Sequence, residues 1–298
     1  MQLLLREDLN FLLTNRIPRR LATQLAGWFS RIENPTLTRV SIAVWTFFAG
    51  DLRLHESEDV QFRSVRDCFT RRLREGARPI TQAMDTLISP CDAEVGAFGR
   101  IDGSTLIQAK GLTYSLQELL HDSALASRHQ NGVFITLRLK SSMYHRFHAP
   151  CNARLRRVRF ISGDTWNVNP IAVRRIERLF CRNERVVVEM DVEDPALTLT
   201  LVPVAAILVA SIRVNSIPYP FNQQYKGSAV VECDSTVTRG DELGYFENGS
   251  TIIVLVSGKF VPCENVRDGA VIRMGEPLFR RTPAADSGSL LTSDHSFS

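Results

Sequence analysis

The sequence predicts an α+β protein in which N-terminal amphipathic helices precede a mostly antiparallel β domain. Three observations predict it. Apolar residues recur at helical spacing within the first 75 positions; from about residue 86 the texture changes to short β-type runs broken by Gly, Asp and Asn; and VRDGAVIRMGEPLFRR near the end has a strand, Gly turn, strand rhythm.

In the helical part, Leu21, Leu25, Trp28, Phe29 and Ile32 repeat at helical spacing, while Arg20, Thr23, Gln24 and Arg31 fall elsewhere on the wheel. Pro35 is expected to end this helix, and Leu37, Val40, Val44, Phe47 and Phe48 begin a second. An Arg-flanked helix with Trp and Phe on its apolar face suits a membrane interface, but packing on the chain's own core explains the same stripe and, for the stripe taken alone, is the favoured reading. Farther on, VFITLRL (133–139), RVVVEM (185–190), LTLTLV (197–202) and TIIVLV (251–256) read as strands. One helix is expected among them at SLQELLHD, where Ser115 can cap and Glu118 completes the capping box. The tail from Thr282, rich in Ser and small residues, is expected to be disordered.

At 298 residues, 44% hydrophobic and 23% charged, the composition is that of an ordinary globular chain able to bury a sizeable core. Lys and Arg exceed Asp and Glu only by 36 to 32, but the excess is local. Arg16, Arg19, Arg20, Arg31 and Arg39 crowd the first forty residues, and Arg154, Arg156, Arg157 and Arg159 follow the central histidines. Such patches favour anionic lipid or nucleic acid unless they are merely solvated. Six widely spaced cysteines with no Cys-x-x-Cys pair read as free thiols in a reducing compartment. The start MQLLLREDLNFLL lacks the uninterrupted apolar core of a signal peptide, so the chain is read as unexported. The run LVPVAAILVASI is too short to span a bilayer and carries Pro203, so membrane contact is expected to be peripheral.

Chemistry concentrates at Asn248-Gly249-Ser250-Thr251, between RGDELGYFEN and a β-branched run. A Gly-Ser bond entering a strand is a place where a chain can cut itself: Gly249 has no Cβ to block approach to its carbonyl, and Ser250 carries a hydroxyl. A hairpin turn is the plain alternative. A self-cutting serine needs a base, and a neutral imidazole held by a carboxylate is the usual arrangement. His55, His121 and His129 lie in polar or helical contexts and His295 in the tail, which leaves His145 and His148 in YHRFHAP. Their spacing also suits a metal, but no third ligand stands in register, so none is expected. Asp92, after a Pro turn and before a strand in SPCDAEV, is the candidate carboxylate, although spacing alone does not bring it to His148.

Several long motifs occur in order: SPCDAEVGAFGRI, LIQAKGLTYSLQELL, SSMYHRFHAPCN, ISGDTWNVNPIA, LFCRNER, RGDELGYFENGST and GEPL. In these, from about residue 10 to about 280, the chain resembles the pyruvoyl-dependent phosphatidylserine decarboxylase proenzymes of the bacterial type. The resemblance implies that Asp92, His148 and Ser250 form a self-processing triad and that the Ser250 oxygen attacks the carbonyl of Gly249, the cleavage site. The resulting ester is eliminated, and Ser250 becomes a covalent pyruvoyl cofactor that forms a Schiff base with the substrate. It also implies that His145 assists decarboxylation and reprotonation. The products would be chains 1–249 and 250–298, remaining associated.

By the same resemblance, residues 1–75 would be a helical membrane-associating region, 76–281 a decarboxylase domain with lipoyl-like (barrel-sandwich) hairpins, and 282–298 a disordered tail. The implied partners are phosphatidylserine and an anionic membrane surface on the cytoplasmic face of the cell membrane, with a homo-oligomer allowed and no nucleic acid. Charge alone nominates Lys110, Arg146 and Arg154 for the lipid phosphate. The chain departs from the family's commoner pattern at Cys91 and Ala93 beside Asp92, at KSSM before the Tyr-His pair, at Asn248 and in a glycine-free VAAILVASI. These departures spare the reacting groups and bear mainly on substrate. The alternatives are a pyruvoyl enzyme for another serine-headed lipid or a free amino acid, and a non-catalytic lipoyl-like scaffold.

Overall fold

A computed structural model describes residues 18–109, 111–194, 197–208, 211–247 and 250–282. Arg16, Lys110, Gly249 and the tail from 283 onward lie outside them.

The first helix, Arg19–Ser30, turns its sequence pattern inside out. Thr23 and Ser30 are buried, whereas Leu21, Leu25, Trp28 and Phe29 are 53%, 56%, 67% and 40% exposed. The apolar stripe therefore does not pack on the protein's own core. Polar contacts dock the other face: Arg19 donates to Asp164 at 2.6 Å and lies 3.6 Å over the Trp166 ring, and Thr23 Oγ1 accepts from the Leu208 N–H. Pro35 does not end this helix but opens the next, Pro35–Ala49, whose cap is the Asn34 side chain accepting from the Leu37 N–H. Proline suits that first position because its missing N–H is one that no helical carbonyl would receive. Gly50, at φ +83°, closes it in the left-handed region that a side chain disfavours. Val40, Val44, Phe47 and Phe48 also face outward. The expected helical texture does not continue to residue 75: beyond Ala49 come a short 3-10 turn, Leu54–Glu56, and one short helix, Val65–Phe69.

The described strands are β1 (Thr86–Ile88), β2 (Ala93–Arg100), β3 (Thr105–Ala109), β4 (Leu112–Ser115), β5 (Val133–Leu139), β6 (Arg146–His148), β7 (Ala153–Ile161) and β8 (Arg185–Val192). They continue with β9 (Thr198–Ala205), β10 (Ile212–Val214), β11 (Val230–Val237), β12 (Glu242–Phe246), β13 (Ser250–Val256), β14 (Phe260–Pro262), β15 (Val271–Ile272) and β16 (Pro277–Arg281). The main sheet runs β11-β7-β8-β9-β13-β5-β2-β15, antiparallel throughout. Two three-stranded sheets, β10-β12-β6 and β1-β16-β14, and the β3-β4 hairpin accompany it.

β13 is buried along its whole length between β9 and β5, which is why its sequence reads as an unbroken apolar run rather than an alternation. Pro203 sits inside β9, opposite Ile252, and the pairing of β9 with β8 lapses at Val202 and Pro203 because proline has no N–H to donate. The helix at Leu116–Leu120 carries the Ser115–Glu118 capping box. Fully buried Arg185 donates to the carbonyls of Glu118, Leu119, Cys181 and Asn183, and burial pushes its pKa down to about 10. All six cysteines are free.

Candidate active site

Ser250 opens β13 opposite Leu139 on one side and Ala205 on the other. Its side chain is fully buried and its Oγ has no hydrogen-bond partner. A buried hydroxyl without a partner costs about 1–3 kcal/mol, and Thr251 Oγ1 next to it is buried without one as well. It lines a cavity of about 650 Å³ whose walls include Lys140 and Ser142 after β5, Asn167, Phe29 of the first helix, and Phe69. Arg138 and Lys140 share the single carboxylate of Glu94, which leaves this wall of the cavity net positive.

His145 packs against Phe69, with ring centroids 3.9 Å apart. Its Nδ1 lies 2.7 Å from the Met143 carbonyl, which can only accept, so Nδ1 carries the proton. Nε2 is then a bare lone pair, buried and without a partner. Burial, with Arg71 adding to it, pushes the pKa down to about 3, so the ring is neutral.

His148 is placed differently. Its Nδ1–H donates to the Gly240 carbonyl at 2.8 Å and its Nε2 accepts from the Tyr144 hydroxyl at 2.9 Å. Burial lowers its pKa, and the Gly240 carbonyl, Glu242 and Asp92 pull it back. Its main-chain N–H reaches the Pro90 carbonyl at 2.8 Å, which sets β6 beside the segment carrying Asp92. Asp92 itself is engaged elsewhere: Arg78 holds both carboxylate oxygens, at 2.8 and 2.5 Å, and the Met274 N–H adds a third bond at 3.0 Å. Asp92 and His148 thus adjoin without a direct hydrogen bond. No grouping of three or more potential metal ligands occurs among the described residues.

The charge-based candidates for a lipid phosphate fare differently. Arg146 is consumed by the Thr70 and Arg71 carbonyls and by Glu242. Arg154, Arg156, Arg157 and Arg159 are matched by Asp234, Asp191, Glu232 with Glu189, and Asp122, so the second basic patch is largely neutralised. Sequence reasoning passed over Arg78, Tyr144 and Lys140, which touch the candidate groups or their cavity. Lys140, in the noted KSSM stretch, and Tyr144, at the head of YHRFHAP, carried a local signal, whereas Arg78 carried none.

A family model described as phosphatidylserine decarboxylase matches residues 65–280. Among curated proteins, a phosphatidylserine decarboxylase proenzyme of Vibrio parahaemolyticus is 36% identical over 277 residues, covering 88% of this chain and 94% of the relative. One from Erwinia tasmaniensis is 33% identical over 277 residues, covering 89% and 92%. A third, from Yersinia pestis, is 34% identical over 289 residues, covering 91% and 96%.

Proposed function

The chain belongs to the phosphatidylserine decarboxylase family, and on that premise we propose that it is a proenzyme that cuts itself between Gly249 and Ser250 and then converts phosphatidylserine to phosphatidylethanolamine. The observation that carries this reading is the Ser250 Oγ, buried, unpartnered and on the wall of the cavity. In the proposed cleavage a histidine takes the Ser250 hydroxyl proton, the oxygen bonds to the Gly249 carbonyl carbon, and the C–N bond breaks with the proton passing to the freed amine. Loss of the Ser250 α-proton then expels the Gly249 carboxylate. Tautomerisation, addition of water and departure of ammonia leave a pyruvoyl group on the new chain. When formed, that ketone supplies the electron sink that no ordinary side chain offers for loss of carbon dioxide.

The base is assigned to His148, with Asp92 raising its proton affinity through space and bracing its segment by way of Arg78. For that role the Tyr144 hydroxyl must rotate away and uncover Nε2. His145 is assigned to the decarboxylation, where its neutral ring offers an open Nε2 beside Phe69. One observation favours the reverse order: only the Nε2 of His145 is free already. Lys140, on the net-positive wall, is proposed to receive the substrate's carboxylate or phosphate.

A lipid substrate is favoured over a free amino acid by the outward apolar faces of the first two helices, because Phe29 belongs both to that surface and to the cavity wall. No helix among the described residues is long and apolar enough to cross a membrane. Attachment is proposed to be peripheral, through the outward apolar faces of the first two helices, and on the cytoplasmic leaflet. The small closing sheet β1-β16-β14 is read as the lipoyl-like part, although β15 pairs with β2 in the main sheet and so forms no hairpin with β16. The reading is tested by incubating purified protein with phosphatidylserine vesicles and measuring carbon dioxide and phosphatidylethanolamine. Wild type is expected to yield both and Ser250→Ala neither. Turnover by Ser250→Ala, or turnover of free serine with none of the lipid, would overturn it.

A further inference from the structure

Glu247 stands three residues before Ser250, where the chain leaves β12 in one sheet to enter β13 in another. Its side chain is only 4% exposed. Each carboxylate oxygen meets a separate guanidinium: Oε1 accepts from Arg66 at 2.6 Å and Oε2 from Arg31 at 3.1 Å. Its main-chain N–H donates to the Ser211 carbonyl at 3.0 Å. Arg31 is the residue that caps the end of the first helix, and Arg66 belongs to the short helix Val65–Phe69. Neither cation is near Glu247 in sequence. Nothing in the decarboxylation assigned above uses this clasp.

The crossing has two ends. At its downstream end Ser250 is fixed by pairing with Leu139 and Ala205. At its upstream end the β10–β12 pairing closes at Phe246 with Ile212, a single main-chain bond ties Glu247 to Ser211, and the two arginines add the side-chain hold. A peptide bond whose carbonyl must meet the oxygen of the following residue is sensitive to such anchoring, since a displacement of about 1 Å can cost on the order of 100-fold in rate.

We propose that Glu247 is a positioning residue for self-cleavage, with Arg31 and Arg66 holding its carboxylate so that the Gly249 carbonyl is presented to the Ser250 hydroxyl. The proposal rests on the self-cleavage reading above. It also makes the N-terminal helical region part of the processing machinery, since that region supplies both cations. The same anchor governs the fate of the ester. If the ester is held, removal of the Ser250 α-proton expels the Gly249 carboxylate and leads to pyruvoyl; if it drifts, water attacks it and releases a small chain beginning with unchanged serine.

The test is a pulse-chase of cell-free synthesised full chain, following cleavage on denaturing gels and the mass of the small fragment. Glu247→Ala and Arg66→Met are expected to slow cleavage by roughly 10- to 100-fold and to raise the share of serine-started small chain. Arg66→Lys, which keeps a cation, is expected to stay within about threefold of wild type and to give mainly pyruvoyl ends. Glu247→Gln retains the side chain's shape and should give a smaller effect in the same direction; it carries the test if the alanine variant fails to fold, as judged by melting in a Ser250→Ala background. Wild-type rate and ends in both Glu247 variants would overturn the proposal. So would equal slowing by Arg66→Lys and Arg66→Met with unchanged ends, because that pattern belongs to packing alone. An uncut wild type is a different result and counts against the self-cleavage reading itself.

Discussion

Removing the Arg78 guanidinium should destabilise the protein well beyond the usual effect of an ion pair. Arg78 and Asp92 are both buried, with side chains 4% and 9% exposed, and Arg78 also holds Glu56 at 2.7 Å. In Arg78→Met the Asp92 charge keeps only the Met274 N–H, while Glu56 keeps weaker contacts with Arg53 and Arg273 at 3.4 and 3.9 Å. Leaving one member of a buried pair uncompensated costs about 3–5 kcal/mol. At roughly 2 °C per kcal/mol for a large domain, the melting temperature should fall by about 6–10 °C. The measurement belongs in a Ser250→Ala background, so that every variant is one intact chain. Adding Asp92→Asn removes the stranded charge, so the double variant should lose less than the sum of the singles, by about 1–3 kcal/mol. Additivity within about 0.5 kcal/mol would refute the claim that Asp92 and Arg78 stabilise as a pair. The cycle also separates two meanings of an Asp92 variant: a lower melting temperature reports the ion pair, whereas failure to cleave in protein shown to be folded reports processing.

Folded His148→Ala and Asp92→Asn should remain uncut, while His145→Ala should be cut at least partly and decarboxylate poorly; gels and product assays on the purified variants decide this, and the opposite result for the two histidines would exchange their roles. Folding stability should fall as pH drops below the ordinary imidazole value of 6.5, because burial holds His145 and His129 near 3 in the folded state, so the unfolded chain binds protons that the folded one refuses. Each such ring contributes about 1.4 kcal/mol per pH unit between those values, and urea titrations from pH 7 to 5 should show the slope reduced by about that amount in His129→Gln. Trp28→Ala with Phe29→Ala should weaken co-sedimentation with anionic and neutral vesicles alike. Arg19→Gln should instead act by loosening the first helix from Asp164 and Trp166, lowering the melting temperature without a selective loss on anionic vesicles.

What the sequence disclosed was local. The strands at 133–139 and 251–256 are legible because β-branched runs bounded by turn residues leave few other choices, and the capping box at Ser115 and Glu118 needs only a three-residue pattern. What it hid was which face of an element meets the core. The stripe of Leu21, Leu25 and Trp28 suits core or outer surface, and only the distant partners of Arg19 and Thr23 decide the matter. Pro35 was misplaced for a related reason, since proline both stops one helix and starts the next. Arg19 and Arg31 look like free cations beside that stripe, yet their carboxylates, Asp164 and Glu247, lie 145 and 216 positions away. The site divides in the same way. Ser250 and the two histidines stand out by residue type and spacing, whereas the open Nε2 of His145, the satisfied ring of His148 and the Arg78 grip on Asp92 depend on carbonyls and side chains brought in by the fold.

Intact mass analysis of the purified, denatured protein tests the central claim most directly. Two fragments meeting at Gly249 and Ser250 are predicted, the smaller one lighter by one ammonia than a chain beginning with serine. A single uncut chain, or a small fragment with the full mass of a serine-started chain, would contradict it.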